Sequence, residues 1–150
     1  MLKDRVYQIE AIVFRRKGEK PKDIEFLLLK RVPKSGNFWQ PVTGGVHFKE
    51  KRMDALKREI KEELNVNENE IKKIINTNFS FSFVNDDEDK LDEYVYGIEV
   101  NPKQKITISK EHTEAKWVNF KKALKMLKYK NNRDGFKKLY KIIATPKKVF

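Results

Sequence analysis

The 150-residue chain sets 34 lysines and arginines against 22 aspartates and glutamates, a formal charge of +12, and is 39% hydrophobic and 11% aromatic. That length and apolar share suit one domain, residues 1–150, with a packed core rather than a disordered chain. Cysteine is absent, which excludes disulfides, thiolate metal sites and cysteine nucleophiles, and no apolar run approaches the ~20 residues that a membrane-spanning helix needs.

Residues 6–14 (VYQIEAIVF) and 24–29 (IEFLLL) are apolar and rich in β-formers, and the loop RRKGEKPKD separates them as two strands. Pro33, Gly36, Pro41, Gly44 and Gly45 punctuate the next stretch, which reads as a loop holding a short extended piece. Over residues 50–64 the period turns helical. Met53, Leu56, Ile60 and Leu64 form one stripe at ~100° per residue, and Asn65 tolerates the left-handed conformation that commonly ends a helix. Phe79, Phe81 and Phe83 alternate with Ser80 and Ser82, a period of two and therefore a strand. The acidic NDDEDK makes a turn, and LDEYVYGIEV is the returning strand of a hairpin. ITIS and AKWVNF are shorter extended pieces around Glu111. Two helices close the chain: one capped by Asn119 and running to Leu127, the other striped by Phe136, Leu139, Tyr140 and Ile143 and stopping before Pro146. The expected fold class is α/β, a mixed β-sheet with helices against it.

Chemistry concentrates in residues 44–66, GGVHFKEKRMDALKREIKEELNV. Glu59 and Glu63 lie four residues apart and Glu62 lies three from Glu59, so all three share one flank beside the apolar stripe. Like charges at this spacing oppose the helix by ~0.2–0.5 kcal/mol per pair. Arg58 relieves part of that through an i,i+4 pair with Glu62. A divalent cation relieves more, because clustered carboxylate oxygens are what magnesium or manganese prefers. In a chain this rich in lysine and glutamate a solvated acidic face is the plainer alternative, and the helix alone does not decide between them.

The flanking residues do. The spacing Gly44-x5-Glu50-x7-Arg58-Glu59-Ile60-x-Glu62-Glu63-x-Asn65-Val66 resembles the Nudix box, a signature of a loop, a helix and a second turn, with every charged position filled. Asn65 stands where the box usually has glycine, and asparagine reaches the same backbone conformation. His47-Phe48-Lys49 replaces the acidic and glycine-containing stretch that often precedes Glu50. Outside the box, FWQPVTGG, KEHTEAKWVNFKKALKML and NNRDGF look like the Nudix branch of dihydroneopterin triphosphate pyrophosphatase and related nucleoside triphosphate pyrophosphohydrolases.

The resemblance implies the Nudix fold, a mixed sheet sandwiched between helices. It implies a magnesium cofactor, with manganese as substitute, held by Glu59 and Glu63, joined by Glu62, the backbone carbonyl of Gly44, and Glu111 from outside the box. Arg58 and Glu50 would orient the ligating carboxylates, although Glu50 also suits a helix N-terminus through the dipole. Glu59 and Glu111 are the two candidates for the catalytic base; His47 and His112 have the chemistry, but a lone histidine is more often structural or on the surface. Arg31 and Thr43 are placed to meet phosphates, and Asn132 to touch substrate. Trp39 is suited to stacking on a base or to packing in the core. Phe79, Phe81 and Phe83 belong to the core or to a groove wall, and the basic end KKLYKIIATPKK to a solvated amphipathic helix. The reaction implied is attack of water on phosphorus in a nucleoside triphosphate or dihydroneopterin triphosphate, giving monophosphate and pyrophosphate.

Two other readings share parts of this pattern. A dinucleoside polyphosphate or nucleotide-sugar hydrolase would keep the box and differ in its outer loops. A basic nucleic-acid-binding module would explain the charge of +12, but the chain has no aromatic-and-basic single-strand motif and no zinc finger. A scaffold without turnover is disfavoured, since no box carboxylate is missing. The polar start Met1-Leu2-Lys3-Asp4 lacks the pattern of a secretory leader, so a soluble cytoplasmic protein with small-molecule nucleotide partners is expected.

Overall fold

The structure, a computed structural model, describes residues 7–145; Val6 at the expected start of the first strand, and Pro146 with the four residues after it, lie outside them. The elements follow in the order β1 (Tyr7–Arg16), β2 (Ile24–Arg31), β3 (Trp39–Gln40), β4 (Val42–Gly45), α1 (Arg52–Leu64), β5 (Ile71–Val84), β6 (Lys90–Val100), β7 (His112–Val118), α2 (Phe120–Met126) and α3 (Lys130–Ile143). β1 is the centre of the sheet. It runs parallel to β6 from Tyr7↔Asp92 to Phe14↔Glu99. It is antiparallel to β4 near its start, where Ile9 faces Gly44, and to β2 at its end. β5 adds to β6 as a hairpin, and β2 carries both β3 and β7.

Two-sided burial explains why β1 and β2 read as continuous apolar runs. Ile9, Ala11 and Val13 face one way and pack with Leu27, Leu29 and the α1 residues Leu56, Ile60 and Leu64. Ile12 and Phe14 face the other way and pack with Phe26, Leu28 and the α3 residues Phe136 and Leu139. Most of these side chains are fully buried, each contributing roughly 1.5–3 kcal/mol of hydrophobic stabilisation. The sheet is thus a mixed one between helices, the α/β arrangement expected.

Several local expectations shift. The first helix begins at Arg52 rather than Glu50, because Glu50 is held in the preceding turn, its carboxylate accepting from the backbone N–H of His47 at 3.0 Å. Met53 is 38% exposed, and Ala55 takes its place in the buried face with Leu56, Ile60 and Leu64. Residues 106–109 are not a strand: the N–H groups of Thr107 and Ser109 donate to the carbonyls of Leu64 and Glu63, so this segment closes the C-terminal end of α1. The strand expected at Phe79 starts earlier, at Ile71, and its register breaks between Asn76 and Phe79. Thr77 turns inward there and donates to the Val95 carbonyl at 2.6 Å, while Asn78 takes φ 57°.

Asn65 does end α1 in the left-handed region, at φ 56° and ψ 37°, and its side chain accepts from Lys61 at 2.8 Å. A Cβ-bearing residue without a local polar side chain is strained there by roughly 1–2 kcal/mol. Asn65→Ala should therefore lower the thermal midpoint, whereas Asn65→Gly should leave it within a degree or two; equal midpoints for the two variants would show that the left-handed cap contributes nothing.

Candidate active site

β4 brings two glycines against the middle of α1, at Arg58 and Glu59. A Cβ built on Gly44 would lie 2.1 Å from the Glu59 carboxyl carbon, so the missing side chain is what lets a helix carboxylate rest against strand backbone. Glu59 and Glu63 are each 8% exposed, while Glu62, on the outer side of the same flank, exposes 54% of its side chain. Two of the three box carboxylates are therefore part of the α1–sheet contact, and not a solvated face.

Arg58 ties this flank to the preceding loop. Its Nε and one Nη donate to the two oxygens of Glu50 at 2.9 and 3.0 Å, a bidentate pair. The other Nη donates to Glu59 at 2.7 Å and to Glu62 at 3.4 Å, and a further bond reaches the Gly45 carbonyl at 2.8 Å. The guanidinium pulls the Glu50 carboxyl down to about 2, aided by the His47 N–H and against the cost of burial. Those partners in turn raise Arg58 above its ordinary value. Glu59 moves the other way. Burial raises its carboxyl above the ordinary value in spite of Arg58, and the negative charges of Glu62 and Glu63 add to the rise.

Glu63 is held from the other side. His112 is the largest influence lowering its carboxyl, opposed by burial and supported by Ser109 and Glu111. Ser109 Oγ donates to Glu63 at 2.8 Å. Nδ1 of the buried His112 lies 3.2 Å from the same Glu63 oxygen without hydrogen-bond alignment, and its Nε2 meets Gln40 at 3.2 Å. With the Gln40 amide donating to Nε2, the neutral ring carries its proton on Nδ1, facing Glu63. His112 is thus a buried support for a box glutamate, and His47 is an exposed loop residue.

On the far side of β4 a groove of about 610 Å³ opens beside α3, within the size range of small-molecule sites. Arg31, Thr43, Phe81, Phe83, Glu93 and Asn132 are among the residues lining it. Thr43 is the chain neighbour of Gly44 but faces the other side of β4, so the strand separates the groove from the α1 carboxylates. Arg31 Nε is buried without a hydrogen-bond partner among the described residues, a donor suited to an anionic group.

Sequence-expected residues thus fall into two neighbourhoods: Gly44, Glu50, Arg58, Glu59, Glu62, Glu63 and Glu111 around α1, and Arg31, Thr43 and Asn132 in the groove. Trp39 lies in neither. It is half-buried, packs beside the α2–α3 core cluster and sits between the Lys30 and Lys116 ammonium groups; its neighbour Phe38 lines the groove instead. Among the described residues no three His, Asp or Glu side chains stand in metal-enclosing geometry, since the box carboxylates turn to Arg58, Ser109 and His112. The donor set nonetheless suits a hard divalent cation: a buried carboxylate with a raised proton affinity, like charges beside it, and a backbone cradle that a Cβ would fill. Sequence reading missed Gln40 and Ser109, which carry no signal of their own, and Glu10 and Glu93. Glu10 had one, as an acid inside the apolar run of β1, while Glu93 sits beside Asp92 in β6 and does not stand out; both are buried.

The NUDIX domain family model matches residues 6–140. No curated protein matches. Among solved structures, a protein of Listeria monocytogenes assigned as a NUDIX hydrolase is 26% identical, with TM-score 0.77, covering 90% of this chain and 92% of its own. An Ap4A hydrolase from C. elegans in a binary complex is 24% identical with TM-score 0.79, covering 93% and 98%. The dihydroneopterin triphosphate pyrophosphohydrolase of E. coli is 20% identical with TM-score 0.77, covering 95% and 99%. The last two likenesses speak to the fold alone. Members of this family generally use a divalent metal, and no helix among the described residues is long and apolar enough to cross a membrane. With a domain match over most of its length and the box residues gathered around α1, the chain belongs to the Nudix family of pyrophosphohydrolases.

Proposed function

We propose that the protein hydrolyses the diphosphate linkage of a nucleoside triphosphate or dihydroneopterin triphosphate to monophosphate and pyrophosphate, with magnesium as cofactor. The observation that carries this reading is the close approach of Gly44 to the buried Glu59 carboxyl, which seats a helix carboxylate against the backbone of β4. Glu59, Glu63 and the Gly44 carbonyl would hold the ion, with Glu62 reaching it from the exposed flank. When bound, the ion supplies polarisation of phosphoryl oxygens and a more acidic water.

The chain's own groups do the rest. Arg58, anchored on Glu50 and the Gly45 carbonyl, fixes the orientation of Glu59; His112 and Ser109 fix Glu63. Arg31 and Thr43 line the groove and would bind the phosphate chain, and Asn132 belongs to the groove floor. Of the two candidates for the base, Glu111 is favoured over Glu59. Glu59 is bonded to Arg58 and wedged against Gly44, whereas Glu111 is exposed on the loop before β7 and its side chain reaches toward Glu63. In the step proposed, a water oxygen bonds to phosphorus, its proton passes to Glu111, and the bond to the leaving pyrophosphate oxygen breaks. A groove of about 610 Å³ with aromatic walls favours a single-ring-system substrate over a dinucleoside polyphosphate.

Glu63→Gln, with the fold checked by thermal melting, should abolish magnesium-dependent hydrolysis across a nucleotide panel, and chelation should silence the wild type without unfolding it. Turnover untouched by either treatment contradicts the metal assignment. Glu111→Gln should lower kcat by roughly 10²–10⁴-fold while leaving metal affinity from calorimetry close to wild type; lost affinity with normal kcat at saturating metal would make Glu111 a ligand and return the base to Glu59. Arg58→Lys, which cannot span Glu50 and Glu59 together, should cost roughly 10–100-fold in metal affinity or activity, and unchanged kinetics would deny it a positioning role.

A further inference from the structure

The groove floor holds an acid pair that the phosphate chemistry does not use. β1 and β6 run parallel with Gln8 opposite Glu93 and Glu10 opposite Val95. Glu10 and Glu93 therefore lie diagonally adjacent on the α3 face of the sheet. Glu10 is fully buried and Glu93 is 4% exposed. Asn132 Nδ2 donates to one Glu10 oxygen at 2.6 Å, while the other has no donor among the described residues. A Cβ on Gly135 would come within 3.0 Å of that oxygen, so a glycine in α3 is what allows the helix to close over the acid. Glu93 receives no hydrogen bond from any donor among the described residues other than the Glu10 acid, and it lines the groove. Two buried carboxyls left this way are costly unless something shares them.

Burial is the main cause that raises both groups, Glu10 well above the usual carboxylate range and Glu93 to about 7. Their mutual hydrogen bond raises Glu10 and lowers Glu93. Glu10 therefore keeps the proton and donates it to Glu93. Glu93 is thus the member of the pair that ionises first, and it lies at the floor of a groove whose walls include Phe81 and Phe83 of β5. Phe38 and Tyr129 meet there edge to face at 5.3 Å, and such walls suit a flat ring.

We infer that Glu93, backed by Glu10 and Asn132, reads the substrate's ring by accepting from two adjacent N–H donors, the ring N–H and exocyclic amino group of the 2-amino-oxo edge common to guanine and pterin. The inference rests on the proposed reading that this groove holds the substrate's ring. A carboxylate matches two neighbouring donors bidentately. Adenine and cytosine offer an acceptor beside their amino donor, and uracil flanks its one donor with carbonyls, so each sets a lone pair against Glu93.

The test compares kcat/KM for GTP, dihydroneopterin triphosphate, ATP and CTP, with magnesium, on wild type and Glu93→Gln. Wild type should prefer GTP or the pterin triphosphate by roughly 10- to 100-fold, and the faster of those two arms identifies the source of the edge. Glu93→Gln, whose amide presents one donor and one acceptor, should collapse or invert that preference. A wild type that prefers ATP or CTP, or a preference unchanged in a folded Glu93→Gln, overturns the assignment. If no triphosphate is turned over, the hydrolytic reading falls, and calorimetric binding of GTP against ATP to the wild type still decides this one: equal affinities refute it, and tighter GTP supports it.

Discussion

Arg58 is the cation around which the α1 end of the molecule is built. A guanidinium offers donors in a rigid fork, and here they go to Glu50 in the loop, Glu59 and Glu62 on the helix, and the Gly45 carbonyl of β4. One side chain thereby fixes the distance between strand, loop and helix. It also leaves work undone. Glu59 keeps a raised proton affinity despite the direct bond, and Glu63 depends on His112 and Ser109 instead. Replacing Arg58 by a lysine would supply a charge without the fork.

β1 links that end to the groove. Its two faces alternate, so one set of side chains supports α1 and the other supports α3. Because Ile9 faces Gly44 and Glu10 faces Thr43 across the β1–β4 pair, the strand that seats the box glycine also carries the buried acid of the groove floor. On the reading proposed, phosphate chemistry and ring recognition would be held at a fixed spacing by one rigid strand with its parallel neighbour β6, not by loops that would have to find it.

Much of this was legible in the sequence where local pattern and tertiary outcome agree. The α1 stripe follows from helical periodicity, the cap from asparagine's tolerance of the left-handed region, and the charged spacing of the box from its resemblance to the Nudix signature; the helix forms with Asn65 in the expected conformation. The features that escaped depend on long-range contact. Residues 71–78 (IKKIINTN) show no alternation, because the register break at Thr77 and Asn78 interrupts it. ITIS has strand composition but gives its N–H groups to the end of α1. Phe38 and Trp39 are adjacent aromatics at the start of β3, and only the packing against α2 and α3 decides which turns to the core and which to the groove. Glu10 stands out as an acid in an apolar run, Glu93 beside Asp92 does not, and nothing local says that β1 and β6 will set them side by side.

The central claim is that the buried flank of α1 binds a divalent ion. Crystals of the protein soaked with manganese and measured at an anomalous-scattering wavelength test it most directly. The account places a peak about 2.0–2.2 Å from oxygens of Glu59 and Glu63 and the Gly44 carbonyl, distances expected for a hard divalent ion. A clear peak elsewhere, or none there at saturating manganese with Arg58 still bonded to Glu59, would contradict it.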